Sequence, residues 1–159
     1  MIPTASFLTR RAALFLVGAL PAAHVLTAQA RARPLVVVNR DPSCGCCGAW
    51  AKHLERAGFP VSIVETSALQ AVKLRLGVPH ELASCHTAKM QEYVLEGHVP
   101  VAAILRLLAE RPKATGLAVP GMPIGSPGME GGKPEIYEVV LFGPEARQSY
   151  GRFLGHEPV

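Results

Sequence analysis

The sequence predicts an α/β domain: a central mixed sheet flanked by helices, with a cysteine-bearing turn at the N-terminus of the first helix. Three observations predict it. A branched apolar run, Leu35 to Val38, is followed by a turn cluster and then by helical spacing. A second apolar run, "FPVSIVET", is again followed by a helical stretch. Two later strand-like runs, "EYVLEGHV" and "IYEVVLF", enclose a third helical pattern.

The first strand lies in "PLVVVNR", where β-branched side chains favour a buried extended chain. Asp41, Pro42 and Ser43 then form a turn cluster, and Cys44, Cys46 and Cys47 follow within four positions. From Gly48 the pattern is helical, with Trp50, Leu54 and Ala57 on one face and Gly58 as the stop. Trp50 is placed to pack the core beneath the cysteines. The second helix, "SALQAVKLRLG", turns Leu69, Val72 and Leu76 inward and closes at Gly77. Two alternations of strand and helix imply adjacent parallel strands.

The stretch "VPHELASCHTAKMQ" reads as loop or a short helical turn. "EYVLEGHV" reads as a short strand, and Pro100 suits the first turn of a helix because its missing N–H would be unpaired there anyway. That helix directs Ile104, Leu105 and Leu108 inward and ends by Pro112. Residues 116–135 hold four prolines and six glycines in twenty positions, too many breakers for regular structure. "IYEVVLF" is the final strand, and "GPEARQSYGRFLGHEPV" reads as a short helix and tail.

Compartment decides what the cysteines mean. Residues 1–30 carry Arg10 and Arg11, an apolar run of about a dozen residues, and Ala28 and Ala30 in an A-x-A arrangement, the parts of an export signal. The run is too short, and Pro21 too central, for a membrane span. The arginine pair suits the twin-arginine route, and Sec export stays open. Cleavage after Ala30 leaves residues 31–159 as one periplasmic domain that does not engage the membrane. It also takes the formal charge from +4 to +2 by removing Arg10 and Arg11. With no basic stripe carrying interleaved aromatics, nucleic acid is not a partner.

A cysteine turn after the first strand of such a unit resembles the thioredoxin architecture, in which the helix N-terminus favours a thiolate. Cys44 and Cys47 form the C-x-x-C of a redox dithiol, but Cys46 is a third thiol that would invite mispairing in a disulfide exchanger. The extra sulfur argues for a soft metal such as Cu(I), bridged between thiolates. Thiol–disulfide exchange through Cys44 and Cys47, and purely structural bridging, are the alternatives; zinc also suits four thiolates. Cys85, about forty positions downstream beside His86, is a completing ligand pair for the cluster. Met122 and Met129, thioethers in the Gly/Pro loop, and His98 near a strand end are further candidate donors. His53 reads as a half-exposed packing residue, and His80 and His156 carry no signal.

The segments "CGCCGAW…HL…GF", "GVP…L.SCHTA", "YV.EGHVP" and "RP…GLAVPGMPIGSPGME", in this order, resemble the CopG-type periplasmic copper-resistance family. The domain of that family was formerly known only as a predicted metal-binding domain with a C-x-C-C motif. The resemblance spans roughly residues 35–142 and leaves out the tail after Phe142. It implies a thioredoxin-like domain that binds copper through Cys44, Cys46, Cys47 and Cys85, handles copper in the periplasm and interconverts Cu(I) and Cu(II). Another periplasmic copper carrier or exporter would be its partner. Beside this, the donor count exceeds the needs of one low-coordinate Cu(I), so more than one copper per chain is expected, with the Gly116–Glu130 segment as a lid. Both a copper carrier and a copper or thiol oxidoreductase fit these residues.

Overall fold

The computed structural model describes residues 32–144 and 147–159; the export signal read at residues 1–30 lies outside them. The fold is mixed α/β, and its elements in chain order are β1 (Val36–Arg40), α1 (Gly45–Arg56), β2 (Val61–Glu65), α2 (Leu69–Arg75), a 3-10 turn (His80–Leu82), β3 (His86–Met90), β4 (Tyr93–Glu96), α3 (Val101–Glu110), β5 (Gly116–Ala118), β6 (Ile136–Phe142), β7 (Arg147–Leu154) and β8 (Glu157–Pro158). They build one eight-stranded sheet in the order β2-β1-β3-β4-β5-β6-β7-β8. β1 runs parallel to β2 across α1, and β4 runs parallel to β5 across α3. The other neighbouring pairs are antiparallel.

Helices cover both faces. Trp50 and Leu54 of α1 and Ile104 and Leu107 of α3 share one core cluster with Val36, Val38, Ala88, Leu95 and Leu117. Val94, the strand neighbour of Leu95, points to the opposite face and packs with Val78, Leu82, Ala118 and Phe142. No helix among the described residues is long and apolar enough to cross a membrane.

Several elements differ from the sequence expectation. α1 starts at Gly45 rather than Gly48, so Cys44 is its N-cap and Cys46 and Cys47 lie in its first turn. A helical glycine costs about 0.5–1 kcal/mol, which the burial of Cys47, Trp50, Ala51 and Leu54 outweighs. "HTAKM" is strand β3, not loop, because it is paired on both sides by β1 and β4. In α3 the inward face is Ala103, Ile104 and Leu107, and Leu105 points outward. Three residues of the breaker-rich segment form β5, clamped between β4 and β6. The tail expected as a helix is β7 and β8. Pairing of β7 with β6 from Ile136↔Leu154 to Phe142↔Arg147 overrides its local helix propensity.

Register explains why distant residues meet. In the antiparallel β1–β3 pair, Arg40 stands opposite His86, so the chain leaving β1 for the cysteine turn passes the chain entering β3 from Cys85. In the β3–β4 hairpin, Thr87 stands opposite Glu96 and the Gly97 N–H donates to the His86 carbonyl, which brings His98 to the same end. Because β5 is parallel to β4, the Gly/Pro loop after Ala118 also leaves from that end, with the Val119 N–H donating to the Glu96 carbonyl.

Candidate metal centre

Backbone and side-chain hydrogen bonds that involve no sulfur hold the cysteine turn. The Asp41 carboxylate accepts hydrogen bonds from the Ser43 N–H (2.9 Å) and hydroxyl, which hold its pKa down, and the Asp41 carbonyl accepts from the Cys44 N–H. Arg40 donates to the Cys44 carbonyl at 2.7 Å and to Glu65 at 2.6 Å, fixing the turn to the ends of β1 and β2. No side chain caps α1, so the N–H groups of its first turn carry no side-chain partner.

Four sulfurs gather there. The ligand atoms of Cys44, Cys46, Cys47 and Cys85 all lie within 4.8 Å of one another. Cys46 Sγ is 3.6 Å from Cys44 Sγ and 3.9 Å from Cys85 Sγ. Metal–sulfur bonds of about 2.3 Å would set two sulfurs on one tetrahedral ion about 3.8 Å apart, so the spacing of Cys46 and Cys85 suits a shared metal ion. Cys44 and Cys47 form a disulfide, and Cys46 and Cys85 are free.

Two imidazoles complete the group. Cys85 Sγ lies 3.0 Å from His98 Nε2 and 3.2 Å from His86 Nδ1, and the ligand atoms of these three residues also fall within 4.8 Å. His98 Nδ1–H donates to the Pro127 carbonyl at 2.7 Å, so its Nε2 carries the free lone pair toward Cys85. His86 is fully buried, its ring 4.4 Å from Trp50, and its Nε2 has no hydrogen-bond partner among the described residues. Burial holds His98 below the usual histidine pKa and drives His86 far below it, with help from His98 and Lys73, leaving both rings neutral and able to donate to a metal. Cys85 differs from the cysteines of the turn in lying outside the helix head. It sits in the bend just before β3, and burial together with the neighbouring Cys46 pushes its thiol up to about 12, so a metal ion must displace its proton.

Sequence reasoning missed the support beneath Cys85. Lys73 of α2 is buried against Glu96 of β4 and donates to Thr87 Oγ1 at 3.0 Å. Glu96 accepts from Thr87 Oγ1 at 2.7 Å and from the Ser84 N–H at 2.6 Å, which fixes the residue before Cys85. A lysine in an amphipathic helix reads as solvent face, and only the Thr87↔Glu96 register would have exposed the pair.

The Gly/Pro loop packs over the centre. A Cβ on Gly128 (φ +89°) would come within 2.7 Å of Trp50 N and 2.9 Å of the Cys46 carbonyl oxygen. Ser84 Oγ donates to the Gly121 carbonyl on the same loop. Met122 is half exposed; Met129 is half-buried, its N–H bonded to the Ser126 carbonyl at 2.8 Å. His53, expected as a packing residue, instead pairs with Glu130 at 2.6 Å, and His156 stacks on it.

Comparison with known proteins adds to this geometry. The family described as "Protein of unknown function, DUF411" matches residues 82–129, from the 3-10 turn into the Gly/Pro loop. No curated protein matches the chain. A solved structure described as copper resistance protein CopG, form 2, is 45% identical with a TM-score of 0.72, covering 76% of this chain and 98% of that one. A form 1 structure of copper resistance protein CopG matches at 45% identity and the same coverage, with a TM-score of 0.71.

Proposed function

This chain belongs to the family of copper resistance protein CopG, and we propose that it is a periplasmic copper-binding protein of copper homeostasis and resistance. Copper is its cargo. The observation that carries the reading is the meeting of Cys46 and Cys85, from segments remote along the chain, at 3.9 Å with two neutral imidazoles against Cys85. Thiolate and imidazole together suit copper, and the sulfur-rich side favours Cu(I).

In this reading Cys44, Cys46, Cys47 and Cys85 bridge more than one Cu(I), with His86 and His98 as nitrogen donors and Met122 and Met129 as thioether donors from the lid. The leader at residues 1–30 delivers the domain to the periplasm, where a copper carrier or exporter is its exchange partner. The Cys44–Cys47 pair supports an interconversion whose electrons balance. Two Cu(II) ions each take one electron from the dithiol, the S–S bond forms, two protons leave, and two Cu(I) ions remain with the free donors. Run backwards, the disulfide accepts one electron from each of two Cu(I) ions.

Anaerobic titration of the fully reduced protein with Cu(I) tests this. More than one copper per chain is expected, with a lower stoichiometry in Cys46→Ser and in Cys85→Ser. One copper or fewer in the wild type, or unchanged loading in Cys85→Ser, overturns the shared centre. Replacing Met122 and Met129 together should weaken Cu(I) retention, and unchanged affinity leaves them as packing residues.

The same disulfide favours a second reading, thiol–disulfide exchange through Cys44 and Cys47. It requires that Cys46→Ser be nearly harmless while replacement of Cys44 or Cys47 abolishes activity. Thiol counting and metal analysis on protein taken from the periplasm separate the two.

A further inference from the structure

Away from the sulfurs, three residues from three segments meet in a second group. His53 comes from α1, Glu130 from the end of the lid, and His156 from the turn between β7 and β8. Their ligand atoms all lie within 4.8 Å of one another. One carboxylate oxygen, Glu130 Oε1, is the focus: His53 Nε2 stands 2.6 Å from it and His156 Nε2 3.7 Å. The same oxygen accepts the Gly128 N–H at 3.0 Å, which fixes the carboxylate on the lid backbone. The two imidazole rings lie 4.7 Å apart, tilted by 35°, so both present Nε2 toward the same oxygen.

A simple ion pair would use one histidine; here a second ring converges on an oxygen already taken. Two ring nitrogens and a carboxylate oxygen within reach of one another make a donor set that one metal ion can share. We propose that His53, Glu130 and His156 form a second metal site, for a divalent ion of the nitrogen- and oxygen-seeking kind, with Cu(II) as its tightest occupant. The donor set of two imidazoles and one carboxylate lacks the soft sulfur of the first centre, and affinity of such donors rises along the first-row series to a maximum at Cu(II). Glu130 and His156 are about half exposed, which leaves the remaining coordination positions to water. On binding, His53 changes tautomer, its proton moving from Nε2 to Nδ1 by exchange with solvent, and the ion takes the place of the hydrogen between Nε2 and Glu130. The site needs no electron transfer.

The test blocks the sulfur centre first. The purified protein, free of any polyhistidine tag, is saturated with Ag(I), which is thiophilic and redox-inert here, and then titrated with Cu(II) under electron paramagnetic resonance. One Cu(II) per chain with hyperfine coupling to two nitrogens is expected. His156→Gln, at an exposed position, should remove one nitrogen coupling and weaken binding by about tenfold or more. Glu130→Gln should weaken binding while keeping both nitrogens. Circular dichroism reports whether each variant is folded, and His53→Gln replaces any that is not. Absence of nitrogen-coupled Cu(II) in the Ag(I)-loaded wild type overturns the site, as does a spectrum and affinity unchanged in the folded variants.

Discussion

At the scale of single residues, Gly128 shows how closely the Gly/Pro loop is fitted against the cysteine turn. Its positive φ disfavours any L side chain, and the space where a methyl group would sit is taken by backbone atoms of Trp50 and Cys46. Gly128→Ala is therefore expected to lose about 1–3 kcal/mol of stability in urea unfolding and to speed transfer of copper to a Cu(I) chelator. Unchanged stability and transfer would mean that the loop does not close on the centre. The cysteine spacing and the Cys85–His86 dipeptide were visible in the sequence because dense thiols have few bland explanations. His156 was not visible. Its partners lie far away in the chain, and no local pattern links an exposed turn histidine to a helix and a lid.

Among the elements, the strand-to-helix alternation of the first half was legible because each run was long and apolar enough to show its period. β3 was not, since "HTAKM" mixes polar and small residues and becomes a strand only through its neighbours on both sides. β7 was misread for the related reason that its sequence tolerates a helix while sheet pairing decides the outcome. The tie between α2 and the β3–β4 hairpin is equally non-local. Lys73 and Glu96 are almost wholly shielded from solvent, so Lys73→Met leaves a lone buried carboxylate and should cost about 3–5 kcal/mol. Adding Glu96→Gln removes that charge yet keeps an acceptor for the Ser84 N–H, and should restore part of the loss. Urea midpoints of the single and double variants measure both effects, and a strictly additive pair would show that the two groups are uncoupled.

For the molecule as a whole, the end of the sheet where β1, β4 and β5 finish and β3 begins gathers the cysteine turn, the SCH segment, His98 and the lid. A metal bound there joins segments that are remote along the chain and are brought together only by folding. Binding to the native state alone stabilises by about 2.7 kcal/mol when free ion stands 100-fold above its dissociation constant, a rise of roughly 10 °C for a domain of this size. Calorimetry of the reduced protein with and without Cu(I) should show that rise, reversed by a chelator. A melting temperature indifferent to copper would place the ion outside the folded centre.

The chain contains one tryptophan, and its indole lies 4.4 Å from the His86 ring with its N–H anchored to the Val99 carbonyl at 2.9 Å. All indole light from the protein therefore originates at a fixed point next to the proposed copper donors, free of background from other sites. Emission intensity and lifetime become a built-in gauge of occupancy, able to follow loading and unloading in real time without dye or label.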